Sequence, residues 1–112
     1  MSIYIVEKPI SRAELKSIAK ETFEVMVKAV VDVEKRIMAV GGEVHSDANA
    51  ELLECGSHQK DIWGINLYPQ KKDSIEYIAF INIRTAANNR SMGIQYPKIR
   101  KAIAKIVSNL IK

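Results

Sequence analysis

Apolar and polar positions alternate over residues 2–7, with Ile3 and Ile5 on one side, Tyr4 and Val6 on the other, and Pro9 after them. A period of two stopped by proline predicts a short strand. The period then lengthens. Ser11-Arg12-Ala13-Glu14 reads as a capping box: Ser11 can accept from an unpaired helix N–H while Glu14 reaches back to the cap. Ile10 and Leu15 stand where a hydrophobic staple would, and Leu15, Ile18, Ala19 and Phe23 form one stripe of a helix. Over residues 25–33 the period returns to two. Val25, Val27, Ala29, Val31 and Val33 share one face, and Lys28 and Asp32 the other. A second strand over 36–41 completes a hairpin; Glu34 and Lys35 are poor residues for a tight turn because neither favours positive φ, which leaves room for a longer one.

Gly41-Gly42 permits a sharp exit or a bulge. Ser46 or Asp47 is expected to cap a short helix through Leu53, ended by Gly56. Residues 62–68 read as a strand stopped by Pro69, and 70–74 as a polar loop. Residues 75–84 read as a further strand, paired with the previous one as a hairpin. Residues 85–95 read as a polar loop. Pro97 opens a last helix with Ile99, Ile103, Ile106 and Leu110 on its apolar stripe. The order β-α-β-β-α-β-β-α predicts one α+β domain over residues 1–112. Its sheet is expected to be antiparallel or mixed, with four to five strands and helices mainly on one face.

Composition sharpens this picture in three ways. A chain of 112 residues with 47% hydrophobic content can bury a core without staples. The single Cys55 cannot form an internal disulfide, residues 1–10 lack an apolar signal-type core, and no run of about 18 apolar residues spans a membrane. A cytoplasmic location is therefore expected, with no membrane partner. The formal net charge of +4 permits an acidic partner without requiring one.

Candidate chemistry is sparse. There is no Gly-x-Ser-x-Gly, Walker loop, Gly-x-Gly-x-x-Gly or His-Glu-x-x-His segment. Glu43, His45 and Asp47 follow the double glycine and precede a helix start, so Glu43 or His45 could serve as a general acid–base, or the group could be a solvated loop and cap. On the predicted central hairpin, Asn66, Asn82 and Arg84 fall on one face, within reach of Asn89 and Arg90 from the loop. Amides and guanidinium forks in one hollow would suit a small anion. The same residues also fit an ordinary polar strand face.

Cys55 and His58, with His45 and Asp47 across the short helix, are too few to close a zinc site, and neither a metal nor a cofactor is expected. Lys98, Lys101, Lys105 and Lys112 share a stripe of the last helix with Arg100 close by. This could touch phosphates, but aromatic platforms are lacking and nucleic acid is disfavoured.

Three segments stand out together: Gly41-Gly42-Glu43-Val44-His45, Asp61-Ile62-Trp63-Gly64-Ile65-Asn66-Leu67-Tyr68-Pro69, and Ile81-Asn82-Ile83-Arg84 with Asn89-Arg90-Ser91. They resemble a family of small uncharacterised prokaryotic single-domain proteins, a domain of unknown function. The resemblance runs from the capping box to the last helix. It implies a single cytoplasmic domain and carries no activity or catalytic residue to any position. The leading expectation is thus a homo-oligomeric binding protein for a small anionic ligand, held by Asn66, Asn82, Arg84, Asn89 and Arg90. The alternatives are a small enzyme using Glu43 or His45 with Arg84 or Arg90 stabilising charge, and a regulatory module acting through the basic last helix.

Overall fold

The capping box forms as its residues dictate. In the computed structural model, which describes residues 2–71 and 74–112, the Glu14 amide donates to Ser11 Oγ at 3.0 Å and the Ser11 amide to Glu14 Oε1 at 3.4 Å. Helix α1 (Arg12–Lys20) follows and buries Leu15, Ile18 and Ala19. It stops before Phe23, which lies exposed with Lys28 Nζ 5.3 Å from its ring. Part of the expected polar loop over 70–74 lies outside the described residues.

Strands β1 (Ile3–Val6), β2 (Val27–Asp32), β3 (Ile37–Gly41), β4 (Ile62–Leu67) and β5 (Ile75–Glu76) form one antiparallel sheet in the order β1-β3-β2-β4-β5. The predicted alternation sets its two faces. Val27, Ala29, Val31, Met38, Val40, Trp63, Ile65 and Leu67 point into the larger core, where α1 and helix α3 (Pro97–Leu110) pack. Val30, Ala39 and Ile62 point the other way, onto Ala48 and Leu52 of helix α2 (His45–Glu54). Two of the three helices therefore share a face. No helix among the described residues is long and apolar enough to cross a membrane.

Two local expectations change, and the longer of the two possible β2–β3 turns is the one that forms. The β2–β3 turn is longer than two residues because Asp32 organises it. Asp32 Oδ1 accepts from the Glu34 and Lys35 amides at 2.9 Å each, its Oδ2 accepts from Ser57 Oγ at 2.6 Å, and Arg36 takes the left-handed conformation at φ 61°. A buried carboxylate supplies the turn geometry that Glu34-Lys35 could not. Helix α2 starts at His45, with Val44 in the cap position and no side-chain cap, so neither Ser46 nor Asp47 caps it. The His45 ring bonds to β4 and draws the first turn inward, ahead of the polar residues.

The largest change concerns residues 75–84. Only Ile75 and Glu76 pair with β4, opposite Leu67 and Asn66. The chain then leaves the ladder for a bridge between Ile78 and Gly93, a 3-10 turn at Phe80–Asn82 and a bridge between Arg84 and Asn89.

Candidate functional site

The shortened β5 leaves the outer edge of β4 without a strand beyond Asn66, and exposed ladder groups must find partners elsewhere. Side chains supply them. Asn82 is fully buried; its Oδ1 accepts from the Gly64 amide at 2.8 Å, and its Nδ2 donates to the Gly64 carbonyl at 2.9 Å and to the Met92 carbonyl at 3.1 Å. One amide side chain thus bonds both ladder groups of Gly64. Asn89, also fully buried, donates to the carbonyls of Asn82, Ser91 and Gly93 at 2.7–3.0 Å and accepts from the Gln95 amide at 2.8 Å.

Arg84 completes the edge. Its Nε donates to the Ile81 carbonyl at 3.1 Å, Nη1 to the Gln59 carbonyl at 3.0 Å and Nη2 to the Ile62 carbonyl, while the guanidinium lies 4.1 Å from the centre of the Trp63 ring. Burial draws its pKa below the usual guanidinium value.

Asn82, Arg84 and Asn89 therefore do come together, but they face main chain and not a solvent hollow. The expectation of a polar strand face rested on a strand over 75–84, and that strand ends at Glu76. Asn66 shares no hydrogen bond with these three; it donates to Glu76 Oε1 at 2.8 Å, and its buried Oδ1 has no partner among the described residues. Arg90 is exposed, with Nε 3.3 Å from Asn88 Oδ1.

The two acid–base candidates differ in exposure: Glu43 is exposed and His45 is buried. His45 Nε2 lies 2.8 Å from the Ile65 carbonyl. A carbonyl only accepts, so Nε2 carries the proton and donates. Burial, the largest influence, lowers the His45 pKa, and the bond to Ile65 opposes that. The unfolded chain thus takes up the second, charging proton of the ring more readily than the folded one. Stability is full above the ordinary histidine value of 6.5 and falls as pH drops from there towards the lowered folded value. Urea midpoints are expected to fall from pH 7.5 to pH 5.5, and less steeply in His45→Gln; equal slopes in both proteins would refute the assignment. Among the described residues no three His, Cys, Asp or Glu side chains gather as a metal set.

The structure does assemble a cleft that sequence reasoning missed. It has a volume of about 240 Å³ and lies between the start of α1, the end of β4, the start of β5 and the end of α3. Leu15, Leu67, Ile75 and Val107 form apolar walls, and Arg12, Lys71 and Lys112 bring three cations, with no acidic side chain among the described residues lining it. A shallower hollow of about 480 Å³ adjoins it, shares Tyr68, Lys71, Ser74 and Ile75, and adds Glu76. Burial first, then the Glu76 carboxylate, raises the Tyr68 pKa; the phenol stays protonated and donates to Glu76 Oε1 at 3.2 Å.

Arg12 Nη2 donates to the Pro69 carbonyl at 3.2 Å, which ties α1 to the end of β4; its other donors have no partner among the described residues. Lys60–Asp61 is the sole ion pair among the described residues, so no carboxylate there neutralises Arg12 or Lys71. The one available sequence signal was Arg12 at the first helical position, where the helix dipole disfavours a cation.

A family model described as a protein of unknown function, DUF5674, matches residues 4–110. No curated protein and no solved structure matches the chain.

Proposed function

We propose, from the premise that this chain belongs to the DUF5674 family of proteins of unknown function, that it binds a small amphipathic anion in the cleft between α1, α3 and the β4–β5 turn. The observation that carries the reading is the lining: cations beside an apolar wall of Leu15, Leu67, Ile75 and Val107, with Tyr68, Ser74 and Ser108 as neutral polar groups and no acidic side chain among the described residues. An apolar tail would lie along Leu15, Leu67, Ile75 and Val107. A carboxylate or phosphate head would meet Arg12 and Lys71.

The N-terminus of α1 favours the same charge, so an anion there would offset the unfavourable placement of Arg12 at the positive end of the helix. The C-terminus of α3 opposes it, but the Leu110 carbonyl is already engaged by the Ile10 amide at 2.8 Å. A group with two or three acceptor oxygens can use the Arg12 fork while an ammonium supplies a point charge. Compared with the ligand contacts expected from sequence, the anion chemistry is retained and the residues change.

Octanoate and octanol, titrated by calorimetry, test this. Octanoate is expected to bind and octanol to bind at least tenfold more weakly. Arg12→Ala and Lys71→Ala should each weaken octanoate binding by about tenfold, the effect of losing one charge-assisted contact. Lys71 is exposed, so its variant should keep the parent melting temperature. Equal affinity for the two probes, or unchanged octanoate affinity in both variants, would overturn the proposal.

A further inference from the structure

Charge is unevenly distributed along this chain. From Tyr77 to Lys112 the chain carries seven Lys and Arg residues and no Asp or Glu, while residues 43–54 carry four acidic residues and no Lys or Arg. The helical period turns each block into a stripe. On α2, Asp47, Glu51 and Glu54 are all exposed. On α3, Lys98, Lys101 and Lys105 are all exposed. The two helices pack on opposite faces of the sheet, as the alternating side chains of β2, β3 and β4 require. Neither stripe has an ion-pair partner of opposite charge among the described residues.

The acidic face also carries apolar side chains that the fold leaves uncovered. Val44 in the cap position of α2 and Leu53 within it are nearly half exposed, and Phe80, in the 3-10 turn packed beside α2, is 77% exposed. A large aromatic side chain left in water beside an acidic stripe suits a partner that brings cations and some apolar surface.

We infer that the acidic α2 face of one copy receives the basic α3 face of a second copy. The match is one of sign and of spacing, since both stripes repeat every three or four residues along a helix. The two patches differ and lie on opposite faces, so the contact is head-to-tail and does not close as a two-fold dimer. Attraction between exposed stripes is screened beyond about 8 Å at physiological ionic strength, so the association is weak and sensitive to salt. Of the stripe residues, neither Asp47, Glu51 and Glu54 nor Lys98, Lys101 and Lys105 line the anion cleft, so this contact does not depend on the proposed function.

Sedimentation velocity of the full chain tests it, at about 0.02 M and about 0.5 M salt. The sedimentation coefficient is expected to rise with protein concentration at low salt and to stay flat at high salt. K101E/K105E makes both faces acidic, and D47K/E51K makes both basic. Each variant alone should remain monomeric at low salt while keeping the parent circular dichroism, because every changed residue is exposed. An equimolar mixture of the two should associate again through the unaltered face of each. A parent protein that stays monomeric at low salt would overturn the inference, as would a mixture that fails to associate. A monomeric parent that instead retains a short RNA through Lys101 and Lys105 would replace a second copy with nucleic acid as the partner.

Discussion

Replacing Asn82 by Ala is expected to lower the stability of this protein by about 3–4 kcal/mol. The side chain is fully buried and bonds three main-chain groups: the amide and carbonyl of Gly64 and the carbonyl of Met92. Truncation strands all three, and an unpaired buried polar group costs roughly 1–3 kcal/mol. Water can enter the small space left behind and recover part of that loss. What remains is a large share of the roughly 5–15 kcal/mol that holds a typical domain together.

In thermal unfolding the change should appear as a fall of about 12–16 °C. Asn82→Asp keeps the acceptor facing the Gly64 amide, loses both donors and buries a charge, so it should be no more stable than Asn82→Ala at neutral pH. If Asn82→Ala melts within about 2 °C of the parent, the bridge between Asn82 and β4 contributes nothing net and the account of this edge fails.

Gly64→Ala is expected to cost about 2–3 kcal/mol, for a different reason. Gly64 is not held in a left-handed conformation, so backbone freedom is not what requires glycine here. A methyl group at this position would lie 2.5 Å from the Ala79 Cβ, 3.1 Å from Ile81 Cγ1 and 3.3 Å from the His45 ring. Ala79 Cβ is fixed to its backbone and cannot rotate away, so the segment bearing Asn82 must move outward. That motion stretches the bonds Asn82 makes to the same glycine.

The two substitutions should therefore not add. Gly64→Ala combined with Asn82→Ala should cost less than the sum of the two alone, because each disturbs the contact the other depends on. Ala79→Gly in the Gly64→Ala background should recover part of the loss by removing the clashing methyl. Urea unfolding of the five proteins, parent included, gives the comparison. Strict additivity, or Gly64→Ala as stable as the parent, would show that the approach of this segment to β4 does not limit stability.

Both variants act where sequence reasoning and structure part. The run Ile75 to Arg84 has the apolar content of a strand and sits one turn after β4, so a hairpin was the reasonable expectation. The absence of a side chain at Gly64 leaves the room into which Ala79 packs and lets Asn82 reach the edge of β4. Once there, the Asn82 amide presents the donor and acceptor that a strand's backbone would have offered. Asn66, Asn82, Arg84, Asn89 and Arg90 were grouped by a strand period that the chain does not keep. The cleft was missed for another reason. Arg12, Lys71 and Lys112 are far apart in the chain, and no local period relates them.

The sequence by itself determined what repeats over short distances. The capping box at Ser11 and Glu14, the alternation through Val27, Ala29 and Val31, and the stripe Ile103, Ile106 and Leu110 define elements and their buried sides, because backbone geometry brings near neighbours back to the same face every two or 3.6 residues. Only the tertiary structure decided that Asn82 would serve as a substitute strand, that Asp32 would build a turn, and that three distant cations would share one hollow. Those outcomes depend on which main-chain groups the sheet leaves unpaired. That is a property of the assembled edge and of no single segment.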